Sequence, residues 1–183
     1  YSVPLGGSNF IGTTGFVAGY VELEEQLAVE GITADFIFHA NGSGGTMAGL
    51  AIGKKLLDSS TTIISVDAAE HSADFMDEMV ELGNAALQWL GSNANMTAND
   101  FCMDEDFFAP GYEMPSEQGS AAIKLLAREE GILLDPVYSG KAFACFLDYV
   151  QKGKVPKGSN VIFWHTGGAT ALFAEKEILG NVF

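Results

Sequence analysis

Residues 36–55 read FIFHANGSGGTMAGLAIGKK, where an apolar run gives way to Asn41, Gly42, Gly44 and Gly45, with Gly49 further on and the hydroxyls of Ser43 and Thr46 among them. Glycines after a strand let the chain bend tightly and aim several backbone N–H groups at one point, and a helix starting there adds the positive end of its dipole. The chemistry open to such a stretch is to hold a small anion against bare backbone. One glycine would mean only a turn that needs positive φ, but four glycines with two hydroxyls favour a phosphate site. Two nucleotide patterns fail on inspection. A Walker loop needs glycine where Ala48 stands and Ser or Thr where Lys55 stands; a Rossmann turn needs glycine where Met47 stands, and Asp67 is a weak ribose partner. A phosphate without a nucleotide is the better fit.

The elements that must present this turn follow from periodicity. Residues 15–30 have apolar positions at helical spacing and end at Gly31; residues 35–40 form a short buried strand, joined by the glycine cluster to a helix over 45–57. A β-branched strand over 61–66 precedes a helix over about 73–90. Residues 91–115 are irregular, acidic and aromatic. Ser116 caps a helix that runs to Glu130 and stops at Gly131, a further helix spans 138–151, and a last strand over 160–165 runs into Thr166-Gly167-Gly168. Strands alternating with helices predict an α/β fold with a parallel, doubly wound sheet, whose ligands lie at the carboxyl ends of its strands. Both glycine-rich turns fall at that edge.

Composition narrows the partners. The chain has 183 residues, and 9 basic against 24 acidic side chains give a net charge of −15, which repels nucleic acid and anionic lipid where no cationic patch intervenes. No run of about 18 apolar residues and no basic-then-apolar start argues for a membrane span or a signal peptide. Cys102 and Cys145 lack metal spacing, and His39, His71 and His165 form no zinc-type pair, so a reduced, cytoplasmic protein without a structural metal is the expectation. The opening Tyr1-Ser2-Val3-Pro4-Leu5 does not begin with Met, which fits a processed, cleaved or partial sequence.

Five separated stretches stand in a family order: YSVPLGGSN at 1–9, NGSGGTMAGL at 41–50, GY at 111–112, LLDPVYSGKA at 133–142 and HTGG at 165–168. With these the chain resembles, nearly end to end, the D-cysteine desulfhydrase and 1-aminocyclopropane-1-carboxylate deaminase family, pyridoxal-phosphate enzymes with the tryptophan synthase β-like fold. The resemblance implies that Asn41, Gly42, Ser43, Gly44, Gly45 and Thr46 form the cup for the phosphate of pyridoxal 5′-phosphate. It also implies that Tyr112 and Tyr138 line the substrate side of the ring. The glycine usual after the first tyrosine is Glu113 here.

The group facing the pyridine nitrogen sets how strongly the ring withdraws electrons. The deaminase branch has Glu directly after the second tyrosine and an apolar residue before the closing Gly-Gly. Here those positions are Ser139 and Thr166, followed by Gly167. Neutral hydroxyls suit β-elimination, so the resemblance points to the desulfhydrase branch: a small amino acid bearing a β leaving group loses its α-proton, expels the group and yields pyruvate and ammonia. Thr166 takes the ring nitrogen in this reading with Ser139 close by, although Ser139 could equally cap the helix that follows it. The alternative substrate is 1-aminocyclopropane-1-carboxylate.

Such enzymes also need a lysine that binds the cofactor covalently and shuttles the α-proton. In the family it lies upstream of the first stretch matched here. Lys54 and Lys55 lie two helical turns beyond the cup, Lys141 belongs to the family's own Tyr-x-Gly-Lys stretch, and Lys124, Lys152, Lys154, Lys157 and Lys176 lie in polar segments. The chain therefore reads as the large, C-terminal, cofactor-phosphate-binding part of a two-domain enzyme. A stand-alone binding domain and one half of a split enzyme are the other two readings. Open sheet edges and the family alike imply a homodimer or a covering N-terminal segment.

Overall fold

The computed structural model describes residues 2–174. A short 3-10 turn, Leu5–Gly7, leads into helix α1, Phe10–Glu30. This helix starts five residues before its apolar pattern does, because the Asn9 side chain accepts from the N–H groups of Ile11 and Gly12 at 3.0 and 2.8 Å. Gly31, at φ 67°, ends it.

Strand β1, Phe36–Asn41, then runs through the glycine turn into α2, Gly45–Leu56. Next come β2, Thr62–Asp67; α3, Phe75–Trp89; and β3, Met103–Asp104. Residues 91–115, expected to be irregular, thus contribute a two-residue edge strand as well as a 3-10 turn at Ala98–Asp100. The remainder is α4, Glu117–Glu130; α5, Ser139–Gln151; β4, Val161–Trp164; and α6, Ala171–Ala174. Ser116 caps α4 as predicted, with Gly119 N–H donating to its Oγ at 2.9 Å.

The four strands form one parallel sheet in the order β3-β2-β1-β4. Alternate side chains of β1 and β2 face opposite layers. Ile37 and Ile63 meet Tyr20 of α1 and Leu50 of α2, whereas Phe38, Ala40, Ile64 and Val66 pack with Ile123 of α4 and Phe143 of α5. Helices therefore cover both faces, and the predicted doubly wound parallel sheet is the fold observed. Each fully buried Ile or Phe contributes about 1.5–3 kcal/mol, so Ile37 and Phe38 hold β1, and the turn it carries, from both sides. No helix among the described residues is long and apolar enough to cross a membrane.

The position of α2 is set by three glycines four residues apart. A Cβ on Gly53 would stand 2.6 Å from Tyr20 Cβ, one on Gly49 would stand 2.4 Å from Phe16 Cβ, and one on Gly45 would stand 2.7 Å from Ser8 Oγ. That stripe lets α1 and the N-terminal turn lie directly against α2. Gly49, counted with the anion turn on sequence grounds, belongs to this helix contact.

Candidate active site

At the carboxyl ends of the strands lies a cleft of about 710 Å³. Asn41, Gly42, Ser43, Gly44, Gly45 and Thr46 form one wall, Tyr112 and Tyr138 another, and Thr166 reaches it from the turn after β4. The structure thus gathers six of the predicted side chains and three of the predicted glycines at a single opening, from the ends of β1 and β4, the loop before α4 and the start of α5. Ser139 and Gly167 are not on its wall.

The loop has the properties the anion reading demands. Gly44, at φ 85°, is the N-cap of α2 and supplies no side-chain bond. Among the described residues, no carbonyl or side chain accepts from the N–H groups of residues 42–47. Unpaired first-turn donors, the helix dipole and the Ser43 and Thr46 hydroxyls make a donor set suited to a dianionic phosphate. The glycines are needed for space as well as for φ. A Cβ on Gly42 would meet the Tyr138 ring at 3.3 Å, and one on Gly44 would meet Met79 Sδ at 2.0 Å. Ser43 Oγ is also 2.6 Å from Ser8 Oγ, which ties the N-terminal turn to the rim of the cup.

The two tyrosines form a pair. Their hydroxyls are 2.7 Å apart, with ring centroids at 6.1 Å and planes at 63°. Burial, then the Tyr112 hydroxyl, pushes the Tyr138 phenol well above the ordinary tyrosine range. The Tyr138 phenol is therefore protonated at neutral pH.

Ser139 has a different position from the one expected of a ring-nitrogen partner. It is buried at the first turn of α5, where its Oγ donates to Asp135 Oδ1 at 2.5 Å and accepts from Asp135 N–H at 2.8 Å. Nor does it cap α5, the other role expected of it: its Oγ accepts from no N–H of that helix and is taken up by Asp135. The Asp135 carboxylate also accepts from the N–H groups of Val137, Tyr138 and Ser139 at 2.7–2.8 Å, so it fixes the backbone that carries Tyr138. Gly167 N–H donates to His165 Nδ1 at 3.1 Å, and His165 Nε2–H donates to the Leu133 carbonyl at 3.0 Å. That imidazole shapes the turn behind Thr166.

Sequence reasoning missed a second group on the wall. His71 Nε2 lies 2.7 Å from Asp67 Oδ1, and its ring stacks on Phe75 with centroids 3.6 Å apart. Asn41 Nδ2 approaches the same carboxylate oxygen at 3.5 Å, and Asn41 Oδ1 is buried with no partner among the described residues. Asp67 closes a parallel strand, and that position is the one signal that could have brought His71, four residues later, to this edge. Glu70 and Glu78 also line the cleft.

No lysine among the described residues lines the cleft. Lys55 pairs with Asp100 at 2.6 Å beside a separate hollow of about 260 Å³ that Lys54 also lines. Lys141, by contrast with the other lysines, is wholly buried and bonds backbone carbonyls. Lys152 pairs with Asp148 at 2.9 Å, Lys154 sits over the Tyr149 ring, and Lys124 and Lys157 are exposed. Lys176 lies outside the described residues. No cluster of potential metal ligands occurs among the described residues.

D-cysteine desulfhydrase from Klebsiella pneumoniae strain 342 is 42% identical over 175 residues, which is 95% of this chain and 52% of the relative; that of strain ATCC 700721 / MGH 78578 is 40% identical over 174 residues, with the same coverage. The chain thus spans about half the length of these curated relatives. Among solved structures, an ACC deaminase homologue superimposes with a TM-score of 0.86 at 29% identity, over 100% of this chain and 54% of that one. The processed form of threonine deaminase isoform 2 from Solanum lycopersicum shares the fold, at a TM-score of 0.60 and 18% identity over 93% of this chain and 47% of its own. The family described as pyridoxal-phosphate dependent enzyme matches residues 2–167, from the N-terminal turn through the cup to the turn after β4, and this chain belongs to it.

Proposed function

We propose that the chain forms the phosphate cup and one ring-side wall of a pyridoxal-phosphate lyase of the D-cysteine desulfhydrase kind, and that the lysine of that enzyme is not on the cleft wall formed here. The observation that carries the reading is the convergence of unpaired amides of residues 42–47 on the same cleft as the Tyr112–Tyr138 pair and Thr166. When bound, pyridoxal 5′-phosphate supplies an electron sink for the carbanion left by removal of an α-proton.

The cup residues Gly42, Ser43, Gly44, Gly45 and Thr46 would hold the phosphate, and their donors need no side-chain cation to do so. Thr166 would offer a neutral hydroxyl to the pyridine nitrogen, which favours expulsion of a β leaving group over long-lived carbanion chemistry. That choice separates a desulfhydrase, releasing pyruvate, ammonia and sulfide, from a 1-aminocyclopropane-1-carboxylate deaminase. The hydrogen-bonded hydroxyls of Tyr112 and Tyr138 would orient the small amino-acid substrate and donate a proton near the leaving group. Assembly as a homodimer, or with a segment that supplies the lysine, belongs to the same proposal.

The test is a 31P NMR titration of the chain with pyridoxal 5′-phosphate, followed by borohydride reduction and intact mass measurement. The phosphate signal should shift for the unaltered chain and not for Gly42→Val, whose side chain enters the Tyr138 ring position. Reduction should leave only scattered lysine labelling. An unshifted phosphate signal would overturn the cup, and a stoichiometric adduct on one lysine would overturn the statement about the missing anchor.

A further inference from the structure

Lys141 is the one lysine among the described residues with no exposed surface. Its Nζ donates to the carbonyls of Phe108 and Gly111 at 2.9 and 2.8 Å and lies 5.5 Å from the Phe108 ring centroid. Burial pushes its pKa below the ordinary lysine value. Among the described residues no carboxylate pairs with it, so the ammonium depends on those two carbonyls, and the loop at 108–111 depends on the ammonium.

The geometry points to Lys141 as a positioning residue for Tyr112. Gly111, whose carbonyl Lys141 holds, is bonded directly to Tyr112; the Tyr112 hydroxyl meets that of Tyr138; and Tyr138 lies one turn before Lys141 on the same capped helix start. These links close a ring that runs from Lys141 through Gly111, Tyr112 and Tyr138 back along α5 to Lys141. Tyr112 is itself 44% exposed, and little packing around its ring could fix the hydroxyl in place. Residues 105–115 hold no helix or strand, so a charged anchor at Gly111 substitutes for regular backbone bonding there. Lys141 touches neither substrate nor cofactor in this arrangement. The inference rests on the reading above only for what the tyrosine pair does in catalysis, and its test needs no cofactor.

The test follows the Tyr138 Cζ resonance by 13C NMR at neutral pH in the full chain labelled at tyrosine Cζ. The Tyr138 hydroxyl is hydrogen-bonded to that of Tyr112, so Tyr112→Phe should shift this resonance. Lys141→Met should shift it in the same direction, and the double variant should add nothing further, because both act through one hydroxyl. Ile64→Ala, a cavity in the same core, should lower stability and leave the resonance in place. The inference fails if Lys141→Met leaves the Tyr138 resonance unchanged, or if it shifts the resonance equally in the Tyr112→Phe background. Should Lys141→Met not fold, Lys141→Gln keeps N–H donors but is too short to reach both carbonyls, and the same two outcomes decide.

Discussion

Asp135 and Ser139 hold each other across the start of α5: the serine hydroxyl donates to the carboxylate at 2.5 Å and accepts from the aspartate's own N–H at 2.8 Å. Three further N–H groups converge on that carboxylate, and the backbone it fixes carries Tyr138 into the cleft. Asp135→Ala would strand several buried donors and should cost about 3 kcal/mol, while Ser139→Ala, which strands one, should cost about 2 kcal/mol. Urea unfolding measures both. A cost under about 0.5 kcal/mol for Asp135→Ala, the range of an ordinary surface change, would mean that α5 does not need this cap.

Two glycines should respond to alanine with opposite signs. Gly49 has no room for a methyl group against Phe16 and Thr13, so Gly49→Ala should destabilise by about 1–3 kcal/mol through overpacking. Gly15 lies on the open side of α1 with nothing within 4 Å of a Cβ. There alanine should stabilise by roughly 0.8–1 kcal/mol through helix propensity alone. Thermal unfolding of the two variants side by side gives the answer; equal signs would contradict the close α1–α2 contact.

These glycines also mark how far the sequence could be read. The alternation of strands and helices was legible because β1 and β2 are buried on both faces and α1 and α4 end at glycines, and the cup was legible because no side chain competes with its amides. Gly49 was misread because a glycine that admits a neighbouring helix looks, in sequence, like one that admits a ligand. Ser139 and Lys141 were opaque for a related reason: whether a polar side chain turns into a cleft or onto the backbone depends on partners 4 to 33 residues away. The edge strand β3 has only two residues and carries no periodicity at all. His71 reaches the cleft by following Asp67 at the end of β2, a placement that needs the strand order and not the residue type.

Glu113, directly after Tyr112, has its backbone at φ 58°. The left-handed region costs an ordinary residue about 1–2 kcal/mol, and a β-branched one suffers most. Glu113→Gly should therefore leave stability unchanged or raise it by up to about 1 kcal/mol, after the greater freedom of glycine in the unfolded chain is counted. Glu113→Val should lower it by about 1–2 kcal/mol. Guanidinium unfolding separates the two. A valine as well tolerated as glycine would show that the turn before α4 has another conformation, and with it another placement of Tyr112.

His39 makes stability depend on pH far from the cleft's own chemistry. Its ring is fully buried between β1 and β2, with Nδ1–H donating to the Ala40 carbonyl at 2.9 Å and Nε2 accepting from Ser65 at 2.8 Å. Burial lowers its pKa to about 4, against a small opposing effect of the Ala40 carbonyl. The unfolded chain takes up a proton on this side chain below about 6.5, whereas the folded chain refuses it until about pH 4. Between those values the unfolded state binds more protons, so stability falls as pH falls through that window. From pH 7 to pH 5 the loss from this group should be about 2 kcal/mol. The comparison is with His39→Asn, which leaves every other ionisable group in place and removes only this proton site. Urea midpoints for the unaltered chain should drop more steeply on acidification than those of the variant; parallel curves would mean that His39 is hydrated in the folded protein and that the β1–β2 register around Ser65 is open to water.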